Sequence, residues 1–467
     1  MTAPETEAEP ETGPETEPEP EPETATGRFP DRSFLAYWSA IGVSQFGTAV
    51  SMVTIPLIAV LTVGVTPGQM TWLVAMELAP ALLVRIPAAA WSDTLRSRVP
   101  LMIGCNMLQA LIMGAIPLLW WRGQLGFATL LPLVAASSLA VGVYSSLSSP
   151  VLVQIVPGAH LVDANGKTSA TRGVADIGGP AVGGALMAAL AAPLVVLVDA
   201  ASFLLSALLL TRVRVPGETT AHRTTRDAAG NTVRETADVH GAGAASGTAG
   251  ARERRARGGA GETAGEVVRL ARALARRSGV RAMVAVSFVQ GVVQPILALF
   301  MVRELGLGPT PIGLLLSLGA VGGIGGGLLV GRILGRYGPG RTLALGAAVS
   351  ACSLPALPAA GAGLSGAAAV VLLELAGSFG GTVMIATVFG ALQGAAPEGK
   401  VAKVMALAGT FLQVGALAGV LVGGVLGTLT GLRATVAVAA ALMLLTLLPQ
   451  LVRWYAARWE IDTVEVR

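Results

Sequence analysis

Apolar residues fall into twelve runs, each long enough at about 1.5 Å per helical residue to cross a hydrocarbon core of about 30 Å. The first six are Leu35–Leu61, Met70–Trp91, Leu101–Trp121, Phe127–Val156, Val162–Leu190 and Pro193–Leu210. A polar stretch, Val213–Ser278, follows. Six more come after it: Val280–Met301, Ile312–Leu334, Leu343–Ala360, Ala367–Leu392, Val401–Leu429 and Thr435–Leu451. The fifth run has a pattern of its own, because Ala175, Gly179 and Gly183 recur every four residues and present one face of small side chains. Small residues at that spacing let membrane helices pack closely where apolar collapse cannot drive them together. Pro180 interrupts the stripe and would leave the Asp176 carbonyl without its helical partner, so a bend is expected there. Glycine and proline of this kind are poor in a soluble helix but tolerated in a bilayer, where neighbouring helices re-satisfy the backbone.

The pattern predicts an all-α membrane protein with twelve transmembrane helices in two six-helix bundles, residues 33–212 and 279–455. The halves repeat: Pro157 and the pair Gly183 and Gly184 recur 240 residues later as Pro397, Gly423 and Gly424, and Pro56-Leu-Ile-Ala recurs 239 residues later as Pro295-Ile-Leu-Ala. Two bundles sharing one orientation form a parallel pseudo-repeat, an architecture of transporters. Residues 1–32 read as a disordered acidic Pro/Glu/Thr tail with no apolar face to bury, and 456–467 as a second tail. Residues 213–278 read as a linker ending in an amphipathic helix near 262–277. There Val267, Leu270, Ala271 and Leu274 share one face and Arg269, Arg272 and Arg276 the other, which suggests a helix lying on the anionic inner membrane surface.

Composition agrees: 53% of residues are hydrophobic, mean hydropathy is +0.68 and 13% are charged, against about 25% charged in soluble domains. Cys105 and Cys352 lie inside apolar runs and the three histidines are scattered, so neither a disulfide nor a metal site is expected. Residues 1–26 hold nine glutamates and no Lys or Arg, which leaves residues 27–467 at +13 within a total of +4. Basic residues near membrane spans report orientation rather than nucleic-acid binding. With both termini cytoplasmic, only Arg85, Arg122, Arg303 and Arg433 of the 32 Lys and Arg fall away from the cytoplasmic side. A multi-pass protein of the inner (cytoplasmic) membrane is the expectation. The chain contains no G-x-x-x-x-G-K-[ST] pattern, which argues against ATP as the driving force.

Between the second and third runs, Asp93 and Arg98 match a G-x-x-x-D-R-x-G-R-R loop, while Ala89, Thr94 and Arg96 depart from it. The corresponding loop of the second half keeps Gly331, Arg336, Gly338, Gly340 and Arg341 but has Gly335 at the acidic position. On these residues the chain resembles the major facilitator superfamily over residues 30–455. The resemblance implies that Asp93, Arg96, Arg98, Arg336 and Arg341 help latch the halves together in one state. Gly179, Pro180, Gly183 and Gly184 look like the span-five motif of its drug/proton antiporters. With Asp163, Asn165 and Gly166 upstream and Asp199, Ser202 and Phe203 downstream, they are similar to the macrolide-efflux and siderophore-exporter branch. Thr48 follows Gly47 where many relatives carry an acid.

Charges at membrane depth are costly and face a cavity or a partner. Glu374, Asp176, Glu77 and Asp199 are therefore the candidates for proton coupling, in that order, with Arg85 the intramembrane cation. Arg172, one turn before Asp176, offers that acid a neutralising partner, and both readings stand. The resemblance implies a cavity walled by spans one, four, seven and ten, which makes Gln45, Gln154, Gln290 and Gln294 candidates for substrate contact; each amide could equally bond a neighbouring helix. The expected function is secondary active export of an amphiphilic small molecule, a drug, antibiotic or natural product, by proton antiport. A siderophore or metabolite exporter of the same fold is the alternative, and an importer or a non-transporting receptor stays open. The expected partners are the substrate, the proton and the lipid bilayer around a monomer, with no cofactor and no nucleic acid.

Overall fold

A computed structural model describes residues 31–92, 95, 97–215, 268–396 and 400–456. The acidic tail, most of the linker, Asp93, Arg96, Pro397 and the C-terminal tail lie outside the described residues. Within them the chain is helical from end to end. The first half comprises α1 (Arg32–Ile58), α2 (Pro67–Ser92), α3 (Val99–Trp121), α4 (Phe127–Ile155), α5 (Leu161–Ala189) and α6 (Ala192–Leu210). The second begins with α7 (Ser278–Arg303) and ends with α10 (Leu364–Ala395), α11 (Val401–Leu429) and α12 (Leu432–Ala456). Between them Pro309–Ser353 is interrupted at Gly338, whose φ of 76° and ψ of 168° suit glycine, and so divides into α8 (309–337) and α9 (339–353). Among the described residues nine helices are long and apolar enough to cross a membrane, counting Pro309–Ser353 once. Exposed Leu83, Leu111, Leu328 and Leu445 would be penalised by water but not by lipid.

Local chemistry sets several of these boundaries. Asp31 caps α1, accepting from the Phe34 N–H at 2.7 Å. At its far end α1 passes through a π-helical turn, Ala59–Val63, that stops at Gly64 with φ 72°. The ninth run was expected to continue to Ala360, but the helix ends at Ser353. The run from Leu354 to Ala360 stays apolar, yet Pro355 lacks an N–H and disfavours helix in the residue before it. The linker ends in a helix over residues 268–276. Its apolar face does not lie on lipid as expected, because Leu270 and Leu274 are fully buried in the same core as Val280 and Met283. Helix α5 continues through Pro180 as far as Ala189.

The small-residue stripe of α5 lies against α1. A Cβ built on Gly179 would meet Ala49, with its carbonyl carbon at 2.8 Å, and one on Gly183 would lie 3.0 Å from the Val50 carbonyl oxygen. Gly184, on the adjoining face, meets α8: a Cβ there would sit 2.6 Å from the Pro309 carbonyl oxygen and 2.9 Å from the Gly313 Cα. The second half repeats this division of labour. Gly423 packs on Val292 of α7, and Gly424 packs across the halves on Thr71 of α2. The pairs α5 with α8 and α2 with α11 therefore join the halves. Thr310 Oγ1 donates to the Gly184 carbonyl at 3.1 Å, and Arg303 Nη2 donates to the Val65 carbonyl at 2.8 Å. These bonds and glycine contacts lie at the end of the bundle away from residues 31 and 456.

Candidate functional site

Two adjoining cavities lie where the halves meet. One, of about 480 Å³, is walled chiefly by the first half and lined by Gln45, Thr48, Ser51, Glu77, Arg85, Gln109, Asp176 and Asp199 among others, with Gln413 and Leu417 of α11 closing one side. The other, of about 660 Å³, takes in Gln290 and Gln294 of α7, Gly319 of α8, and Glu374, Ser378 and Thr382 of α10. They share Ala49, Met52, Pro56, Glu77 and Asp176 as a common wall. Apolar side chains make up most of both linings, as expected of sites for small organic molecules.

Each acid is placed by a packing decision in the backbone. Asp199 is 1% exposed on α6 and faces α1 at Gly47, where a Cβ would sit 2.6 Å from its Oδ1 and would also overlap Ser202. Ser202 Oγ donates to Asp199 Oδ1 at 3.2 Å and to the Asp199 carbonyl at 2.8 Å. Helix α6 is not among the spans expected to wall the cavity, but it packs on both α1 and α3 and brings Asp199 to the first cavity. On the opposite side, a Cβ on Gly319 would lie 2.5 Å from Glu374 Oε2, so that carboxylate sits directly against the α8 backbone. Glu77 stands on α2 beside a bond between helices, in which Ser138 Oγ of α4 donates to the Glu77 carbonyl at 2.5 Å. Asp176 reaches both cavities from α5.

The Arg172 charge acts on the Asp176 carboxylate without direct contact. Among the described residues Arg172 and Asp176 make no ion pair; with its amide oxygen turned towards Arg172, Gln45 accepts from Nε at 2.8 Å and from Nη2 at 2.5 Å. Gln154 is the amide the structure removes from the site, since it is exposed one residue before α4 ends and lines neither cavity. Gln109 and Gln413 are lining residues that the sequence did not single out. Both are amides inside apolar runs, and that signal was available. The resemblance points to other spans, one, four, seven and ten.

The loop residues serve the ends of helices. Arg98 Nε donates to the Ser92 carbonyl at 3.1 Å, closing the turn between α2 and α3. Arg336 lies over the Tyr337 ring at 5.6 Å, and Thr342 Oγ1 donates to the Gly338 carbonyl at 2.7 Å, steadying the break before α9 and Arg341. Asp163 and Lys167 form an exposed pair at 2.8 Å on the first turns of α5. At the other end Arg433 bonds Glu304 at 2.7 Å and the carbonyls of Pro358 and Ala360, tying three connections of the second half. Among the described residues no group of three or more His, Cys, Asp or Glu could hold a metal ion.

With this geometry in view, the family model described as Major Facilitator Superfamily matches residues 37–255 and 280–463. No curated protein sequence matches the chain. Among solved structures it is similar to a bacterial homologue of the iron transporter ferroportin in an inward-facing state, at 17% identity over 91% of this chain and 99% of that one, with a TM-score of 0.67. It is also similar to a bacterial homologue of the human lysosomal transporter Spinster, inward-facing and unoccupied, at 16% identity over 92% and 96% with a TM-score of 0.61. The nucleoside transporter NupG aligns at 11% identity over 91% and 99%, with a TM-score of 0.61. At these identities the likeness carries the fold alone.

Proposed function

The chain belongs to the Major Facilitator Superfamily, and from that premise we propose that it is a secondary active exporter of an amphiphilic small molecule, driven by proton antiport. As a member of that family it is a multi-pass membrane transporter and not an enzyme. The observation that carries the reading is the pair of joined, largely apolar cavities with carboxylates on both sides of their common wall: Asp199 in one, Glu374 in the other, and Glu77 and Asp176 in both. An apolar lining suits an amphiphile. Antiport also needs a carboxylate that alternately holds and releases a proton where substrate can compete for it.

Glu374 is the leading candidate for that role. It lines the larger cavity beside Gly319 and Ser378. The variant Glu374→Gln is nearly isosteric and cannot ionise. We predict that it loses uphill efflux driven by an imposed pH gradient in proteoliposomes, roughly a hundred-fold or more, while still equilibrating substrate downhill. Full gradient-driven transport by this variant removes Glu374 as the coupling site, and Asp176→Asn then tests the next acid in the same assay.

The proposal includes orientation. The Lys and Arg bias supports cytoplasmic termini and a location in the inner membrane. The end at which Gly184 meets Gly313 is then the outer one, and the state described is closed outside. Reporter fusions at each terminus test this: both termini outside reverses the direction assigned to transport, and one alone outside overturns the even number of crossings.

A further inference from the structure

We infer that the first-half cavity is a subsite for a protonated amine on the substrate, with Gln109 and Asp199 as its recognition pair. This deepens the reading of the cavities as the substrate path and rests on it. Among the described residues three acids, Glu77, Asp176 and Asp199, line that cavity with one lining cation, Arg85, while Arg172 stands behind Gln45 at its edge. The independent observation is Gln109, which is 3% exposed and lines the same cavity from α3, and whose Oε1 has no hydrogen-bond partner among the described residues. An orphaned buried acceptor is costly, so it marks a position where a donor is needed.

The chemistry of that donor follows from what the walls already supply. Carboxylates and an amide oxygen are acceptors; a ligand carboxylate or phosphate would add further acceptors and like charge. An organic ammonium brings up to three N–H donors and a positive charge. Helices α3 and α6 are bonded at Asn106, whose Nδ2 donates to Ser206 Oγ at 2.9 Å, and Gln109 and Ser202 each lie about one turn further into the bundle. Gln109 and Asp199 thus come from two helices pinned to each other. Around them Met52, Ile112, Met113 and Phe203 line the cavity with apolar surface for the body of the substrate. A bare divalent ion fits less well, because among the described residues no three ligating side chains of the usual types converge.

The test is equilibrium binding to the full-length protein in nanodiscs, without a gradient, using dansylcadaverine and its N-acetyl derivative, which share a body and differ in the charged amine. The amine is expected to bind roughly ten-fold or more tightly than the acetyl derivative, the scale of one charge-assisted hydrogen bond. Gln109→Leu and Asp199→Asn are each expected to remove that preference while leaving binding of the acetyl probe within about two-fold, which also shows that the variants are folded. Gln109→Glu should retain the preference, since it keeps an acceptor. Equal binding of both probes overturns the amine subsite and leaves the export reading standing. A preference that survives in both variants overturns the assignment to Gln109 and Asp199. Tight amine binding without gradient-driven transport supports the subsite and sinks the antiport reading alone.

Discussion

Gly319 decides where the Glu374 carboxylate can sit, because the α8 backbone at this residue forms its immediate wall. We predict that Gly319→Ala spares folding and damages coupling: the added methyl would lie 2.5 Å from Oε2, the end of a flexible side chain that can turn aside. Gradient-driven efflux should fall roughly ten-fold at equal membrane abundance, the cost of a misplaced reacting group, while downhill exchange persists. Efflux at the parental rate would argue that the position of Glu374 does not matter. The acids were legible from sequence because a charge at membrane depth demands an explanation. The amides were less so. A helix that is apolar almost all round carries no stripe to say which face meets a cavity, so α3 hid the direction of Gln109. Gln154 lies on an expected span, but at its last turn and outside both cavities.

At the scale of an element, α5 carries two packing jobs on adjoining faces, and its glycines separate them. Gly183 serves α1 and Gly184 serves α8, as Gly423 and Gly424 serve α7 and α2. We predict that Gly183→Leu abolishes efflux while membrane insertion stays normal, because overpacking against the Val50 backbone costs about 1–3 kcal/mol and forces α5 off its partner. Normal efflux from that variant, measured at equal abundance, would mean the stripe is dispensable. The stripe was readable because small residues four apart have one main use in a bilayer. Hydropathy alone misled at the end of α9, since leucine, proline and alanine all read as apolar there and only the backbone chemistry of Pro355 ends the helix. It misled again at residues 268–276, where an amphipathic face looks the same whether lipid or protein covers it.

Across the whole molecule, the halves meet through the related pairs α5 with α8 and α2 with α11, and the contacts run from the Gly184 end to Gly173, whose Cβ would lie 3.2 Å from Ile324. Further along α8, a Cβ at Gly331 or Gly335 would meet none of the described residues within 4 Å. The repeat in the sequence foretold two similar halves, but the state they occupy depends on contacts between them that no pattern within one half encodes. Alternating access requires the closed end to open, which means parting Gly68 from Thr428, where a Cβ would lie 3.1 Å from the threonine methyl. A Gly68→Cys, Thr428→Cys pair, in a background with Cys105→Ala and Cys352→Ala, places two thiols close enough to bridge. Oxidation is expected to stop transport and a reductant to restore it, with substrate binding retained because neither Gly68 nor Thr428 lines a cavity. A cross-linked protein that transports at its reduced rate would show that these ends never separate, and the rocking of one half against the other would have to be abandoned for this chain.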